Sequence, residues 1–340
     1  MRYLGVDLHT NSFTVCIRNE SGRERLATYR MSELKRFLRT LKDTDMLAVE
    51  ATGNTRFFID MVKPYLTEAI AVDPNKFEVI KSSVKKTDKN DARLLAWFLS
   101  KDMLPEARLK DKKQAQISSL VGTRDKLVKL RTTLLNKIHN ILNRHGIKSR
   151  KEAFSSEKAL ERVLAMDFDA IVNVELKVLV EQIRSLTDGI TKLDDQIKQT
   201  GPKMEGHENL TSIKGIGDKS AAVLLSVIGD IKDFADADKL ASYFGIVPRV
   251  SNSNETEHHG RITKRGSKIG RTTLVQCTLI AKRYSPYLAK FYEKIRRRRG
   301  TGKAIIATAR KFLGIIYETL KNDWIFEDFP NFVLTNSCVK

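Results

Sequence analysis

Two short apolar runs that each end on an acid constrain this chain more than any other feature. Tyr3-Leu4-Gly5-Val6 runs into Asp7, and Met46-Leu47-Ala48-Val49 runs into Glu50, just ahead of Ala51-Thr52-Gly53. Such runs read as buried strands. Asp88 and Asp91 stand three apart in Lys86-Thr87-Asp88-Lys89-Asn90-Asp91-Ala92-Arg93, at the head of a predicted helix, and residues three apart share a helical face. A strand-end Asp, a strand-end Glu and an i,i+3 Asp pair can converge on one point. Clustered carboxylates repel, so a cluster of four is tolerable mainly where divalent cations neutralise it. Two cations about 3.5–4 Å apart can clamp the attacking and leaving oxygens of a phosphodiester. The plainer alternative is four surface acids in a chain that is 30% charged.

Around these acids the pattern predicts strands at 2–8 and 13–19, separated by the turn-like His9-Thr10-Asn11-Ser12, and a third strand after Glu20-Ser21-Gly22-Arg23. Helical spacing from Ser32 to Leu41, a strand at 46–50, a helix at about 55–65, a strand at 68–72 and a closing helix follow. This is the element order of a ribonuclease H-like α/β domain, predicted over 1–108. In that fold the first and fourth strands are neighbours, which brings Asp7 and Glu50 together.

Over 109–203 the chain changes character. Leu120, Leu127, Leu134 and Ile141 recur every seven residues, and Leu176, Leu179, Ile183, Leu186, Ile190, Leu193 and Ile197 alternate steps of three and four. That is an a/d seam, which buries its stripe against another helix. The partner is either a second copy, making a coiled-coil dimerisation arm, or another helix of the same chain in a hairpin packed on itself. Gly201-Pro202 ends the seam helix, and 204–335 reads as a mostly helical domain with a basic loop and an aromatic tail, Trp324-Ile325-Phe326-Glu327-Asp328-Phe329.

The 340 residues carry a net charge of +20, and 41% are hydrophobic, enough for more than one core. Between Gly260 and Lys311 there are sixteen Lys and Arg against a single acid, Glu293. A charge so concentrated points to a polyanion, and no basic amphipathic anchor or lipidation signal supports a membrane instead. Cys16, Cys277 and Cys338 are far apart and lack metal-site spacing, which fits a reducing compartment. No apolar signal segment precedes Asp7 and no run reaches the length of a membrane span. A cytoplasmic, nucleoid-associated protein is expected.

Several segments in the second half suit nucleic acid. Lys214-Gly215-Ile216-Gly217-Asp218-Lys219 opens an apolar helix and reads either as a helix-hairpin-helix grip on phosphates or as a plain interhelical turn. Arg249, Arg261, Lys264, Arg265, Lys268 and Arg271, with the run Arg296-Arg297-Arg298-Arg299, supply phosphate-binding charge. Gly300-Thr301-Gly302-Lys303 lacks the spacing and preceding strand of a nucleotide loop. Ser251-Asn252-Ser253-Asn254 reads alone as a polar loop with no histidine base set beside it by spacing, and His258-His259 as a solvated pair.

Together these residues resemble the DEDD insertion-sequence transposases, a family that includes bridge-RNA-guided recombinases and Piv-type DNA invertases. The resemblance is carried by Gly5-Val6-Asp7, Glu50-Ala51-Thr52-Gly53 and Lys86-Thr87-Asp88 through Asp91-Ala92-Arg93. In the second half it is carried by Ile216-Gly217, Phe244-Gly245-Ile246-Val247-Pro248-Arg249 and Ile262-Thr263-Lys264-Arg265-Gly266. It implies that Asp7, Glu50, Asp88 and Asp91 bind Mg²⁺ (Mn²⁺ as a substitute). It further implies that a C-terminal serine-transposase domain uses Ser253 as nucleophile, with Ser251 as its rival because Ser251-Asn252-Ser253-Asn254-Glu255 departs from the family's glycine-bearing run. The implied partners are donor and target DNA, a structured guide RNA, and further copies of the chain as a dimer or tetramer. Three functions stay open on sequence alone: an RNA-guided transposase, a Piv-like invertase, and a junction nuclease using the acids alone.

Overall fold

The computed structural model describes residues 1–74, 76–77, 87–150, 153–154, 156–253 and 256–327, with 250–253 and 256–259 described as backbone only. The chain divides into two compact units, Met1–Lys110 and Asp111–Lys340.

The first unit is built on a mixed five-stranded sheet of order β3-β2-β1-β4-β5. Its strands are β1 (Arg2–Leu8), β2 (Ser12–Asn19), β3 (Glu24–Arg30), β4 (Asp45–Glu50) and β5 (Glu68–Val72). β1, β2 and β3 pair antiparallel, while β4 runs parallel to β1 and β5 parallel to β4. The parallel pairs need crossovers, which α1 (Leu34–Leu38) and α2 (Thr55–Val62) provide. This mixed sheet followed by a mostly helical region is compatible with a ribonuclease H-like domain. The helix expected over Ser32–Leu41 is shorter, because a 3₁₀ turn at Met31–Glu33 takes its start.

Alternation along β1 splits its side chains between two faces. Leu4, Val6 and Leu8 enter a core with Phe13, Phe37 and Phe58. The other face, carrying Tyr3, Ala48, Ile70 and Val72, is covered by α3 (Asp88–Leu99) through Leu95 and Leu99. Gly5 sits on that second face, where a Cβ would lie 2.1 Å from the Ala92 carbonyl oxygen and 2.3 Å from the Ala96 nitrogen. Only a residue without a side chain lets the helix backbone approach so closely. At the opposite end of the strands, Arg2 donates to both carboxylate oxygens of fully buried Asp45 at 2.8 and 2.6 Å. This fork fixes β1 against β4 in the register Arg2↔Asp45 through Val6↔Val49.

The second unit begins with two long helices, α4 (Lys112–Arg144) and α6 (Ala170–Thr200), flanking the short α5 (Glu157–Leu164). α4 and α6 run antiparallel: Arg124 forks onto Asp194 at 2.6 and 3.1 Å, and Lys137 reaches Glu175 at 3.0 Å. Leu176, Ile183, Ile190 and Ile197 are buried. The seam read as a dimerisation surface therefore has its partner inside the chain, the hairpin alternative. Heptad spacing requires a facing helix and is silent on which copy supplies it. The hairpin packs on α8 through Ile117, Val121 and Ile197 against Ala222 and Val223, so the arm and the C-terminal core form one unit where the sequence suggested two.

That core contains α7 (His207–Ser212), α8 (Asp218–Ile228), α9 (Ala237–Tyr243), a hairpin of β6 (Pro248–Ser253) and β7 (Thr256–Ile262), α10 (Lys268–Tyr284) and α11 (Pro286–Lys321), which turns at Gly300. Leu224, Phe244, Leu274, Leu288, Phe312 and Ile316 are its fully buried centre. Within the aromatic tail, Trp324 and Phe326 are tied back by Asn209 and Ser212, and Asp328 and Phe329 lie outside the described residues. Among the described residues no helix is long and apolar enough to cross a membrane.

Candidate active site

The β1–β4 register that pairs Val6 with Val49 puts Asp7 and Glu50 on the next rung, at the carboxyl ends of two parallel strands. Asp7 shares the face of Gly5, so it lies under the start of α3. There Thr87 caps the helix by accepting from the Asn90 nitrogen, leaving Asp88 and Asp91 in the first turn. Asp91 belongs to the buried face of α3 with Ala92 and Leu95. Two strand ends and one helix start thus bring the four acids to one place.

The electrostatics report the same convergence. Burial pushes the Asp7 carboxyl above its usual range; His9 pulls it down, and Asp88, Asp91 and Glu50 each push it further up. His9 stands between two of the acids, its Nε2 3.4 Å from Asp7 Oδ2 and 3.5 Å from Asp88 Oδ2. One ligand atom from each of Asp7, His9 and Asp88 falls within 4.8 Å of the others. Reading His9-Thr10-Asn11-Ser12 as a bare turn missed this residue. The available signal was its spacing, two residues beyond Asp7 and so on the same face. The site's rim is tied down by Asn54 Nδ2 donating to the His9 carbonyl at 3.0 Å, and by Thr55 Oγ1 donating to the Glu50 carbonyl at 2.7 Å.

Oxygen-rich, mutually repelling donors around the buried Asp7 carboxyl suit a hard divalent cation. Among the described residues, the ligand atoms that lie close enough together for one ion are those of Asp7, His9 and Asp88, with Glu50 and Asp91 near enough to raise the Asp7 pKa. The His9 imidazole adds a nitrogen that Mn²⁺ accepts more readily than Mg²⁺.

In the second unit, Ser251 and Ser253 fall on β6, where the sequence suggested a loop. The ladder pairs Ser253 with Thr256, Asn252 with Glu257, Ser251 with His258 and Val250 with His259. Cross-strand partners share a face and alternate along the ladder, so the register places both serines and His258 on one face and His259 on the other. Linear spacing hides this pairing, which the β6–β7 ladder makes. The serine side chains lie outside the described residues, as do Asn254 and Glu255 entirely.

The hairpin is fastened at its base. Gly245 (φ 67°) approaches Arg265 so closely that a Cβ would meet its carbonyl oxygen at 2.0 Å, and Gly266 (φ 82°) meets the Tyr243 carbonyl in the same way at 2.1 Å. Thr263 N donates to the Val247 carbonyl at 2.9 Å and Lys264 N to the Gly245 carbonyl at 3.0 Å. The Gly-Ile-Val-Pro and Ile-Thr-Lys-Arg-Gly segments are the two legs of this mount.

The basic residues fall into two groups. Lys214, Arg249, Arg261, Lys264, Arg265, Lys268 and Arg296 through Arg299 are exposed. Lys219 pairs at 3.5 Å with Asp194, which also holds Arg124, beside an open cleft lined by Lys198, Gly217 and Ser220. Arg271 is half-buried and donates to backbone carbonyls. Gly215 of the helix-hairpin-helix candidate packs against the Ala281 backbone, with a Cβ position 2.7 Å from its nitrogen, which gives that glycine a packing role.

Comparison with known proteins locates both halves. Residues 4–147 match a transposase family model (DEDD_Tnp_IS110), and residues 207–293 match the model described as Transposase IS116/IS110/IS902 family. The chain is similar to the transposase for insertion sequence element IS1111A of Coxiella burnetii, 26% identical over 94% of this chain and 90% of that one. It is also similar to a probable family 20 transposase of Pseudomonas aeruginosa, 24% identical over 94% and 93%. The pilin gene-inverting protein of Moraxella lacunata is 29% identical over 71% of this chain and 68% of its own length.

Proposed function

Because the chain belongs to the IS116/IS110/IS902 family of insertion-sequence transposases, we propose that it cuts and rejoins DNA strands with a serine nucleophile and a divalent-metal site made by Asp7, Glu50, Asp88 and Asp91. The observation that carries this reading is the meeting of two strand-end acids with the first turn of α3. We take the first unit as a ribonuclease H-like domain on the same ground.

A bound Mg²⁺ or Mn²⁺ supplies charge that stabilises the oxygens of a phosphodiester under attack. The four carboxylates hold the ion, and His9 orients Asp7 and Asp88 toward each other. A serine hydroxyl is a weak nucleophile at neutral pH, so it reacts only once phosphate and hydroxyl are both positioned. Its oxygen attacks phosphorus, its proton passes to the departing strand end, and that end leaves as an alcohol. The phosphoserine keeps the energy of the broken bond. Attack by the hydroxyl of a new strand joins the DNA and restores the serine. Ser253 takes this role, with Ser251 on the same ladder face as the alternative. The exposed basic residues of the second unit hold the phosphate backbone. A structured guide RNA, the second polyanion that the family resemblance implies, engages the same kind of surface. Recombination of two duplexes requires four strand cuts, hence more than one copy of the chain.

Two measurements test this proposal. Full-length protein and DNA spanning an element end should give a detergent-stable protein–DNA adduct that Ser253→Ala abolishes. Added Mg²⁺ should raise the melting temperature of the wild type and leave that of Asp7→Asn unmoved, since a ligand raises stability only by binding the native state in preference to the unfolded one. Hydrolytic nicking without any adduct would leave the junction-nuclease reading in its place. The similarity to pilin gene-inverting proteins favours inversion as the second outcome, with the same residues acting on sites within one molecule.

A further inference from the structure

Among the many cations between Gly260 and Lys311, Arg271 behaves unlike a phosphate contact. Its Nη1 donates to the carbonyl oxygens of Phe244 at 3.1 Å, Arg265 at 2.9 Å and Gly266 at 3.2 Å. Phe244 precedes the incoming leg of the serine hairpin, and Arg265 and Gly266 end the outgoing leg. One guanidinium, anchored in the first turn of α10, therefore staples both legs to a helix of the core. Burial pulls its pKa down, and three carbonyl dipoles stand where a solvated arginine would meet water.

The backbone it holds is unfavourable by itself. Three residues at the base have positive φ: Gly245 at 67°, Lys264 at 54° and Gly266 at 82°. For Lys264 that conformation is strained, and such strain persists only where surrounding contacts over-determine it. Phe244 and Ile246 are buried in the core, so the incoming leg is fixed. The outgoing leg relies on the two backbone hydrogen bonds to Val247 and Gly245 and on Arg271. The ladder shifts register once, between Pro248 and Val250, and runs in one register from Val250 to Ser253, so a tilt at the base that passes this irregularity moves both serines together.

We propose that Arg271 is a positioning residue for the nucleophilic serine, setting the angle of the β6–β7 hairpin and leaving DNA affinity to the exposed cations. The inference rests on the serine reading of the proposed function. All three bonds come from Nη1, which lies one bond further from the backbone than a lysine Nζ, so Arg271→Lys keeps the charge and falls short of the three carbonyls.

The test uses full-length Arg271→Lys and Arg271→Gln proteins, prepared like the wild type, on DNA spanning an element end. Three quantities are read: the salt dependence of DNA binding, the rate of adduct formation at saturating DNA, and the amplitude of that adduct. Positioning predicts an unchanged salt slope, a rate lower by about 10²-fold, as displacements near 1 Å cost, and a full amplitude. In Arg271→Gln, which removes the charge, a salt slope reduced by about one with the rate unchanged would make Arg271 a phosphate contact and overturn the proposal. So would a reduced amplitude with a wild-type rate, the mark of a partly unfolded population; Arg271→Lys, which keeps the charge, guards against that outcome arising from gross misfolding in Arg271→Gln. Failure of the serine reading looks different. If wild-type protein forms no Ser253- or Ser251-dependent adduct, both fall together; if it does and Arg271→Lys matches its rate, only this inference falls.

Discussion

Gly5→Ala places one methyl group where the fold has no room, and its consequence can be worked out from the structure. The added Cβ would stand 2.1 Å from the Ala92 oxygen and 2.3 Å from the Ala96 nitrogen, where ordinary contact begins at 3.4 Å. Both atoms belong to the backbone of α3, so no side chain can rotate away. α3 must retreat from β1 by about 1 Å or more, and it carries Asp88 and Asp91 with it. Overpacking of this kind costs about 1–3 kcal/mol, which leaves the first unit folded. A displacement near 1 Å in a catalytic constellation costs about 10²-fold in rate. The expected result is single-turnover strand cleavage about 100-fold below wild type, a loss of the Mg²⁺-induced rise in melting temperature, and near-native circular dichroism. Gly122→Ala is the control: it lies within α4 with nothing near its Cβ position and should be neutral or stabilising by up to about 1 kcal/mol. Wild-type cleavage by a folded Gly5→Ala protein would falsify the claim that the approach of α3 sets the acid geometry.

Three further outcomes are expected. Ile183 is 2% exposed on the α4–α6 seam, so Ile183→Asp should cost on the order of 4 kcal/mol and lower helicity in circular dichroism; a fully helical variant that merely dissociates in light scattering would return the seam to a role between copies. Burial works against the Asp194 carboxylate, but the hydrogen bond and charge of Arg124, aided by Lys219, carry its pKa below the usual value. That contribution is complete above the unfolded value near 3.9 and is lost as pH falls through the lowered one; urea midpoints should show this acid limb in wild type and not in Asp194→Asn. Finally, mixing inactive Ser253→Ala with inactive Asp7→Ala should restore part of the strand cleavage if acids and serine act from different copies, and mixed oligomers with no recovery would confine each site to one chain.

The acids were legible because their signals are local. An apolar run ending in a carboxylate marks a strand end, and Thr87 followed by Asp88 and Asp91 marks a helix start, so element order gave their convergence. His9 was not legible in this way, since a histidine in a turn carries no pattern until α3 brings Asp88 to it. Gly5 read as one more residue of an apolar run; its meaning depends on a helix more than eighty positions away in sequence. The heptads showed that α6 needs a partner and could not say that α4 supplies it. Ser251 to His259 lacks the apolar alternation that betrays a strand, so a hairpin held by its legs passed for a loop. Arg271 lay hidden among cations that differ from it only in what surrounds them.

The order in which the first unit emerges during synthesis has a consequence of its own. β1, β4 and β5 can pair once residue 72 has appeared, yet the face bearing Tyr3, Ala48 and Val72 stays bare until α3 arrives. A nascent chain arrested before residue 88 holds two of the four acids and exposes an apolar sheet face, the kind of surface that recruits chaperones and proteases. The helix that finishes the core is the one that finishes the acid cluster. A product cut short before residue 88 would lack two of the four acids and the cover of that sheet face at once, because one helix supplies both.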